Sequence, residues 1–465
     1  MEKHLRSPWL DMLDRTRPVR ALEHDIRADV AIVGGGIAGV STLAFLLERT
    51  ELTVALVEAD RIAHGATGHN AGQLVSYFER PFHEIAEEYG ITLAADGQRE
   101  VMRAWDLIAE LRDQWNMKTP WYTFDGYAGI ANKTDLQSHL LDNRRRVEGG
   151  LDPERIFVAE DVLAGGLPDD LARYATQAPR ADIQRMLETK DEHYLGVIVS
   201  RKGVMNSARF CEEAVSILLE RWGNRVVIAE HTPVETVVLH EREAELTCGA
   251  HSVRASRVVL CTNGFERFRI ENRAGADIDP KFHHLVRGSV GYMAAFVETS
   301  SHTPAAISYL PLHLRNVTGT HDADPYYYLT RRPHGTDGKH TLVSLGGPEA
   351  LMDDTNGYSR EHPYPDEAKE MLLNFVQRTY KHGGRKLEFA YLWHGLMGYT
   401  PNGIRLVGAE PCNPVLLYNL GCNGVGILPS VSGGYRIARL LAGDPLPPSI
   451  FDPKDKRCEI TPPTP

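Results

Sequence analysis

From residue 29 onward, apolar residues alternate between short buried runs and helical repeats. The run VAIVG at residues 30–34 predicts a buried strand, and Ile37, Val40, Ala44 and Leu47 then recur at helical spacing. The run LTVALVEA at residues 52–59 predicts a second buried strand. A strand, a helix and a strand within about thirty residues have the size of one βαβ unit.

Beyond this unit the pattern changes from helical to β-rich more than once. Residues 82–112 and 207–222 favour helices, while residues 226–264 favour strands that close on a glycine turn. Residues 285–347, rich in Tyr, Val and Leu, are typical of short antiparallel strands. A last helix has one apolar face, formed by Leu428, Val431, Tyr435, Ala438 and Ala442. The pattern predicts an α/β fold with a Rossmann-like domain and an antiparallel-sheet domain.

Composition and charge narrow the class of protein. A chain of 465 residues with 42% hydrophobic and 24% charged residues suggests a globular protein of two or three domains. The formal charge of -11 and the lack of a basic patch argue against a nucleic-acid partner. No apolar stretch has the length of a transmembrane segment, so we predict a cytoplasmic protein. Six cysteines without C-x-x-C spacing predict reduced thiols and no metal site.

The most informative motif follows the first strand. Gly34, Gly36 and Gly39 satisfy G-x-G-x-x-G, and the motif opens a helix at Ile37. The first glycine permits a tight turn, the second allows close approach of a pyrophosphate, and the third allows close helix packing. Glu58, 19 residues after Gly39, ends the second strand where a carboxylate accepts hydrogen bonds from ribose hydroxyls. These residues predict a dinucleotide site, without separating FAD from NAD.

The segments that follow Glu58 separate the two cofactors. ADRIAHGATGHNAGQL at residues 59–74 is a glycine-rich loop where a plain dehydrogenase continues to its next helix. With TPVETV (232–237), CTNG (261–264), WHGLMGYTPNGIRLVG (393–408) and NLGCNGVGILPSVSGG (419–434), it resembles the D-amino-acid oxidase (DAO) superfamily of flavoproteins. The motifs are most similar to γ-glutamylputrescine oxidase and the glycine, sarcosine and dimethylglycine oxidoreductases. The resemblance implies FAD as cofactor.

The resemblance also implies a domain plan of the glutathione-reductase-like, DAO type. A substrate domain of antiparallel strands (residues 116–195 and 271–389) is inserted into a discontinuous FAD domain (residues 28–115, 196–270 and 390–445). Residues 1–27 are then an irregular arm and residues 446–465 a tail.

The candidate cofactor residues come from these motifs. They are Gly34, Gly36, Ile37, Ala38, Gly39, Glu58, Ala59, Gly68, His69, Asn70, Gly72, Gln73, Leu74, Val234, Thr262, Asn263, Gly264, Gly398, Gly421, Asn423, Gly424, Val425, Gly426, Ile427 and Leu428. Glycines near residues 421–426 leave room for a flat ring. A helix that begins near Val425 favours negative charge at the N1/C2=O edge of a reduced flavin.

His69 leaves the mode of FAD attachment open. It falls where the resembling dimethylglycine and sarcosine dehydrogenases attach FAD covalently through histidine, in GSTWHAAG. Asn70 and Gln73, however, match the γ-glutamylputrescine oxidases, which have Arg at the like place in GRNGGQ and bind FAD non-covalently. We expect a non-covalent flavin.

Departures from the sarcosine oxidases limit the prediction of substrate. Ser344 stands where that family has the lysine that promotes reaction with oxygen, and Pro348 where it has an active-site histidine. Leu428 stands where it has a lysine that pairs with the substrate carboxylate. Because no cation is evident beside the flavin, we expect amines to be preferred over α-amino acids, unless Arg287 supplies the missing clamp.

Candidate catalytic residues are Tyr328, His394 and Arg287. Tyr326 and Tyr327 are further candidates for the lining of the same pocket. Alternation along a strand places Tyr327 on the face opposite to the other two tyrosines. An aromatic pocket suits a cationic amine through attraction to the ring face.

The predicted reaction is oxidation of a C–N bond in a small amine or amino acid by hydride transfer to flavin N5. The resulting imine is hydrolysed by water, and oxygen or another acceptor takes the electrons. Two alternatives stay open: a sarcosine-, dimethylglycine- or D-amino-acid-type dehydrogenase that does not use oxygen, and a non-catalytic flavin-binding subunit.

Overall fold

The computed structural model describes residues 6–14, 17–299, 302–311, 326–335, 339–352, 357–380 and 387–454. Its helices are α1 (Pro8–Asp11), α2 (Ile37–Arg49), α3 (Phe82–Tyr89), α4 (Ile91–Met102), α5 (Ala104–Trp115), α6 (Lys133–Glu148), α7 (Glu160–Ala164), α8 (Asp169–Ala172), α9 (Arg180–Met186), α10 (Ser207–Trp222), α11 (Asp279–Phe282), α12 (Asp366–Arg378) and α13 (Ile427–Leu441).

The strands number nineteen among the described residues. They are β1 (Ile26–Val33), β2 (Val54–Val57), β3 (Gln73–Leu74), β4 (Trp121–Ile130), β5 (Arg155–Ala159), β6 (Thr176–Ala178), β7 (Gly196–Met205), β8 (Val226–Ala229), β9 (Thr236–Leu239), β10 (Ala244–Cys248), β11 (His251–Leu260), β12 (Arg269–Asn272), β13 (Arg287–Glu298), β14 (Ala305–Tyr309), β15 (Tyr327–His334), β16 (His340–Leu351), β17 (Tyr391–Tyr399), β18 (Leu406–Ala409) and β19 (Leu416–Leu420).

The first sheet contains the predicted βαβ unit. Strands β1 and β2 are parallel neighbours, and β8 and β11 extend the parallel core on either side. All four residues of β2 are buried, as are the last four of β1, because helices and loops cover both faces. The sheet has nine strands in the order β12-β9-β10-β11-β1-β2-β8, with β19 beside β11 and β18 beside β19.

The second sheet is mostly antiparallel and has ten strands. Its order is β17-β13-β16-β15-β14-β4-β7-β5-β6, and the short strand β3 pairs with β7. One face of this sheet packs on the helices around α12, and the other face is turned toward the first domain. Successive residues along a strand therefore enter two different hydrophobic cores. The predicted α/β class, with a Rossmann-like sheet and an antiparallel sheet, is confirmed.

The sheet memberships differ from the predicted domain boundaries at several strands. The short strand β3, in a segment assigned to the FAD domain, pairs with β7. Strands β7 and β17 also fall within segments assigned to the FAD domain, yet both pair within the second sheet. Their sequences are as apolar as those of a Rossmann strand, and only the partner strands reveal their place. The domain division itself stays a prediction.

Two further expectations are wrong. Residues 1–27 are not wholly irregular: they contain α1, which Ser7 caps by accepting a hydrogen bond from the Trp9 backbone N–H, and the start of β1. Cys412 is disulfide-bonded, whereas Cys211, Cys248, Cys261 and Cys422 are free thiols as expected. Sequence spacing cannot show which distant cysteines the fold brings together.

Candidate functional site

The glycine turn between β1 and α2 is shaped by contacts that exclude side chains. Gly34 has φ +107°, and a Cβ there would lie 2.7 Å from the Cys261 carbonyl oxygen. A Cβ on Gly39 would lie 1.9 Å from the Gly34 carbonyl oxygen, so the helix can approach the turn only with glycine at that position. Helix α2 starts at Ile37 with Gly36 as an N-cap that offers no side-chain hydrogen bond. In this first turn the backbone N–H of Ile37 is bound by Thr67, whereas that of Ala38 is available to an anion.

Glu58 joins the end of β2 to this turn. Its carboxylate accepts hydrogen bonds from the backbone N–H of Gly35 at 2.6 Å and of Asp60 at 2.9 Å. Burial raises the pKa of Glu58. Thr232, just before Val234, donates its backbone N–H to the Glu58 carbonyl oxygen, so Ala59 and Val234 belong to neighbouring loops at this edge. This is the arrangement expected for an adenosine subsite.

The loop of residues 66–74 crosses from the first sheet to the second. Thr67 accepts the backbone N–H of Ile37 at 2.9 Å and thereby caps α2. Asn70 holds the loop closed by donating to the Thr67 carbonyl oxygen and accepting from the Gly72 backbone N–H. Gly68 is buried and Gly72 has φ +70°, and a Cβ on either would meet backbone or apolar side-chain atoms at 3 Å or less.

The second half of this loop lies on the second sheet. Leu74 is fully buried and pairs with Gly203, and Gln73 donates its side-chain amide to the Leu329 carbonyl oxygen at 3.4 Å. His69 accepts at its carbonyl oxygen from the Trp393 indole N–H at 3.1 Å. The loop therefore follows the second sheet from β17 to β15.

The His69 ring is held as a neutral imidazole. Its Nδ1 lies 2.8 Å from the Gly65 carbonyl oxygen, which fixes that nitrogen as a donor when the ring is neutral. Burial lowers the pKa of His69 to about 4. Its Cβ is packed so closely on β17 that a Cβ on Gly395 would lie 2.8 Å away.

The loop after β11 meets the C-terminal block. Asn263, in the left-handed region with φ +54°, accepts the backbone N–H of Cys422 at 3.0 Å. A Cβ on Gly398 would lie 2.6 Å from Asn263 Oδ1, and Gly264 packs on Leu396. The Thr262 hydroxyl is buried without a hydrogen-bond partner. An unsatisfied buried hydroxyl in this cradle fits a polar atom of a bound dinucleotide.

The C-terminal block forms a turn that leads into α13. Gly421, Asn423 and Gly424 have φ values of +82°, +46° and +76°. Helix α13 begins at Ile427, two residues after the predicted start near Val425, and Gly426 is its N-cap without a side-chain hydrogen bond. Leu428 is fully buried in the core shared with α2. The first turn of α13 thus presents backbone N–H groups without an acceptor inside the helix.

The three tyrosines divide as predicted. Tyr326 and Tyr328 lie together with ring centroids 5.6 Å apart, while Tyr327 stacks on Phe375 at 4.4 Å on the opposite face. Directly paired residues place Trp393, Met293, Gly346, Tyr328 and Ser308 in one row across five strands, β17, β13, β16, β15 and β14. We call this the cross-strand row. It faces the loop of residues 66–74.

Two candidate catalytic residues lie away from this row. His394 follows Trp393 and so points to the opposite face, where Tyr358 Oη lies 3.2 Å from its Nδ1 and the His362 carbonyl oxygen 3.0 Å from its Nε2. Arg287 is exposed at the start of β13 and pairs with Tyr399. Six residues separate Arg287 from Met293, about 20 Å along a strand. The structure brings neither together with Tyr328.

Three residues near the loop were not found from the sequence. Trp9 is fully buried and donates its indole N–H to the Asn70 carbonyl oxygen. Lys202 on β7 is 1% exposed and reaches Ser308 at the end of the cross-strand row. Thr67 caps α2. The Ser7-Pro8 helix start was a usable signal for Trp9, whereas nothing local marks Lys202 as buried.

The residues present fit an extended dinucleotide flavin. The turn at Gly34–Gly39 and Glu58 suit the adenosine diphosphate half, and the 421–428 turn with the 66–74 loop suits a flat ring system. Helices α2 and α13, whose N-termini would serve the two halves of such a flavin, pack together: a Cβ on Gly434 would lie 2.7 Å from the Thr42 backbone nitrogen.

Comparison with known proteins gives a consistent result. A sequence profile of the DAO family, described as FAD dependent oxidoreductase, matches residues 29–440. The Rieske 2Fe-2S iron-sulfur protein YhfW of Bacillus subtilis (strain 168) is 23% identical over 245 residues, 53% of this chain and 42% of that protein. Gamma-glutamylputrescine oxidoreductase of Escherichia coli (strain K12) is 36% identical over 94 residues, 20% of this chain and 22% of that protein. The chain thus aligns with less than half the length of these two curated relatives.

A solved structure shares the fold. Glycine oxidase from Geobacillus kaustophilus superposes with a TM-score of 0.60 at 14% sequence identity, covering 90% of this chain and 96% of that one. Within the described residues, no helix has the length and apolar character needed to cross a membrane.

Proposed function

The chain belongs to the DAO family of FAD-dependent oxidoreductases, and from this premise we propose that it oxidises a C–N bond of a small amine or amino acid. The observation that carries the proposal is the cross-strand row beneath the 66–74 loop. It sets tyrosine side chains of the second sheet against the segment that resembles the flavin-contacting loop of the family. The named activities of the curated relatives include oxidation of a γ-glutamylated amine, which agrees in class.

In this function FAD supplies a two-electron acceptor at its N5 atom. The protein's own task is to hold the substrate carbon next to nitrogen close to that position and to exclude water. Tyr326 and Tyr328 offer ring faces to an amine. Burial raises the pKa of Tyr326 to about 12, so this tyrosine stays a neutral hydrogen-bond donor at physiological pH.

The same burial acts on the substrate. A poorly solvated pocket disfavours the ammonium form of an amine, and the neutral form has the lone pair that assists loss of hydride. The substrate then leaves the C–N oxidation as an imine, which water hydrolyses to a carbonyl compound and an amine. None of these steps requires an acid–base triad from the protein.

The test is an anaerobic titration of the purified yellow protein. We expect its visible spectrum to show about one FAD per chain and to bleach with at least one member of a panel of amines and amino acids. Failure of the whole panel, in a protein whose flavin dithionite still bleaches, favours the alternative of a non-catalytic flavin-binding subunit. A protein without flavin contradicts the proposal.

The electron acceptor is a separate part of the proposal. Ser344 occupies the position of the oxygen-promoting lysine in the resembling sarcosine oxidases. Its hydroxyl is buried without a hydrogen-bond partner, beside Thr330 on the neighbouring strand. The absence of a cation at this position favours the dehydrogenase alternative. Reoxidation of the bleached enzyme by oxygen and by an artificial acceptor, followed at equal concentration, separates oxidase from dehydrogenase. The cytoplasmic location stays a prediction.

A further inference from the structure

Lys202 is a buried cation without an anionic partner. Its side chain is 1% exposed, and its Nζ donates to Ser308 Oγ at 3.0 Å and to the Tyr127 carbonyl oxygen at 3.3 Å. Among the described residues, no carboxylate forms an ion pair with it; Glu154 acts only at longer range. Burial lowers the pKa of Lys202 to about 8. An unpaired buried charge is expensive and marks a site that another group completes.

The strand next to Lys202 is built to admit it. A Cβ on Gly126 of β4 would lie 2.4 Å from Lys202 Cδ, so glycine is what lets the aliphatic stem cross this strand. The stem leads the ammonium group to Ser308, the last member of the cross-strand row. The lysine therefore reaches the same face as Tyr328 and the 66–74 loop.

The hydroxyl groups around Lys202 leave one hydrogen without an acceptor. Tyr326 donates its hydroxyl hydrogen to Ser308 Oγ at 2.9 Å, and Ser308 Oγ also accepts from Lys202 Nζ at 3.0 Å. Ser308 Oγ is thus the acceptor in both contacts, so its own hydrogen is available, as is one ammonium hydrogen of Lys202. A group that only accepts hydrogen bonds and carries negative charge satisfies both. A carboxylate has this chemistry.

We propose that Lys202, Ser308 and Tyr326 form a subsite for a carboxylate of the substrate, so that the enzyme acts on an amino acid in preference to a simple amine. The substrate class rests on the proposed function, whereas the anion subsite does not. Leu428 offers no cation to a substrate carboxylate, and Arg287 lies away from the cross-strand row. The cation that binds the carboxylate is then Lys202 on β7.

Glu79 gives the pocket its opposite charge. A Cβ on Gly424 would lie 2.2 Å from Glu79 Oε1, which places this carboxylate at the turn before α13. Burial raises the pKa of both Tyr77 and Tyr326, and the negative charge of Glu79 raises it further. A cation at one end and a carboxylate at the other suit an amino acid whose carboxylate lies toward Lys202 and whose amino group, a hydrogen-bond donor also when neutral, lies toward Glu79 and α13.

The anion subsite is tested by ligand binding, not by turnover. The holoenzyme is titrated with acetate, propionate and benzoate, and with benzamide as the uncharged match for benzoate, while the visible flavin spectrum is recorded. We expect the carboxylates to perturb the spectrum and Lys202→Met to weaken their binding roughly ten- to hundredfold, the effect of losing a charged hydrogen bond. Lys190→Met, at an exposed lysine, is the matched control and leaves binding unchanged.

Further variants keep the test decisive. Ser308→Ala and Tyr326→Phe each remove one donor without removing charge, and each weakens benzoate binding severalfold even if Lys202→Met loses its flavin. Glu79→Gln weakens proline and sarcosine binding and spares benzoate. Equal benzoate binding in wild type and Lys202→Met, or no spectral response of the wild type to any of the three carboxylates, overturns the proposal.

Flavin reduction is scored separately on matched pairs, proline against pyrrolidine and sarcosine against dimethylamine. The amino acid is expected to reduce the flavin faster in the wild type, and Lys202→Met removes that advantage. If carboxylates bind through Lys202 but no compound reduces the flavin, the oxidation fails and the anion subsite stands. If the simple amines win in both proteins, the assignment of the substrate class is overturned.

Discussion

At the residue scale, Gly36 gives a direct test of the dinucleotide turn. Gly36→Val adds a branched side chain whose Cβ would lie 2.9 Å from Thr67 Oγ1, the atom that caps α2. It also occupies the approach of a pyrophosphate. We expect a folded protein that purifies colourless, as measured by flavin absorbance per chain. Gly166→Asn, at an exposed glycine with φ +85° that asparagine tolerates, is the control and keeps its flavin. A yellow Gly36→Val protein contradicts the placement of FAD here.

His69 provides a second residue-scale prediction. The two residues shared with the non-covalent oxidases act locally: Asn70 closes the loop, and Gln73 binds β15. The His69 ring is already held by Gly65. We therefore expect acid precipitation to release the flavin into the supernatant. Colour that stays with the pellet, and that His69→Ala removes, shows instead a covalent bond at this histidine.

The position of a single side chain could be predicted from the sequence only where neighbouring residues determine it. The split of Tyr326 and Tyr328 from Tyr327 was predictable because side chains alternate along a strand. Lys202 was not, because its burial depends on Gly126 and Ser308, and Ser308 is 106 residues away in sequence. His394 was misplaced for a related reason: the motif that contains it is informative, but the face to which its side chain points depends on the pairing of β17.

At the element scale, the contact between α3 and α6 predicts a pH dependence. His83 lies 2.7 Å from Asp142 through Nδ1, and this hydrogen bond raises the pKa of His83. A histidine whose pKa is higher in the folded state contributes its full stabilisation below the unfolded pKa of about 6.5. That contribution is lost as the pH rises through the raised folded pKa.

We therefore expect the stability difference between wild type and His83→Gln to be largest near pH 6 and to shrink toward pH 8. Urea unfolding at both pH values measures it, and amide exchange over residues 83–89 localises the change to α3. His24→Gln, at an exposed histidine, gives a difference that does not follow this trend. A difference for His83→Gln that grows with pH contradicts the assignment.

Element type was easier to predict than element partnership. Helix α10 begins and ends where the periodicity places it, and β1, α2 and β2 follow the expected order. Strands β7 and β17 lie in segments that were assigned to the FAD domain, but their partners are β4 and β13 of the second sheet. Apolar runs indicate burial without saying which sheet buries them, because both sheets are covered on two faces.

At the scale of the whole molecule, the two sheets meet at the 66–74 loop, and α1 holds that loop from outside. Trp9 is fully buried against it: a Cβ on Gly72 would lie 3.0 Å from the Trp9 ring, and Asn206 of the chain before α10 donates to the Trp9 carbonyl oxygen at 3.1 Å. Arg332 of β15 lies over the same ring at 4.1 Å. One residue near the N-terminus thus contacts the 66–74 loop, strand β15 of the second sheet and the chain before α10.

The polar composition of residues 1–27 gave no indication that Trp9 packs against the 66–74 loop. Residues 1–27 are broken by charge every few positions, so their average character is that of an arm, and only Pro8, Trp9 and Leu10 are buried in α1. A single buried turn is too short for any periodicity to reveal. The general fold was therefore predictable from patterns of ten residues or more, whereas this part of the site had only a short local signal, the Ser7-Pro8 helix start.

Trp9→Ala should consequently affect both stability and cofactor binding. Removing a buried tryptophan costs about 3 to 5 kcal/mol of folding free energy. Because the lost contacts are with Gly72 and Asn70, the loop that faces the flavin loosens as well, and we expect FAD to dissociate on dilution more readily than from wild type. Phe375→Ala, at a buried aromatic of α12 on the far face of the second sheet, is the matched control. It should lower the urea midpoint similarly while FAD retention after gel filtration stays at the wild-type level. If the two variants retain FAD equally, α1 stabilises the fold alone and does not position the cofactor loop.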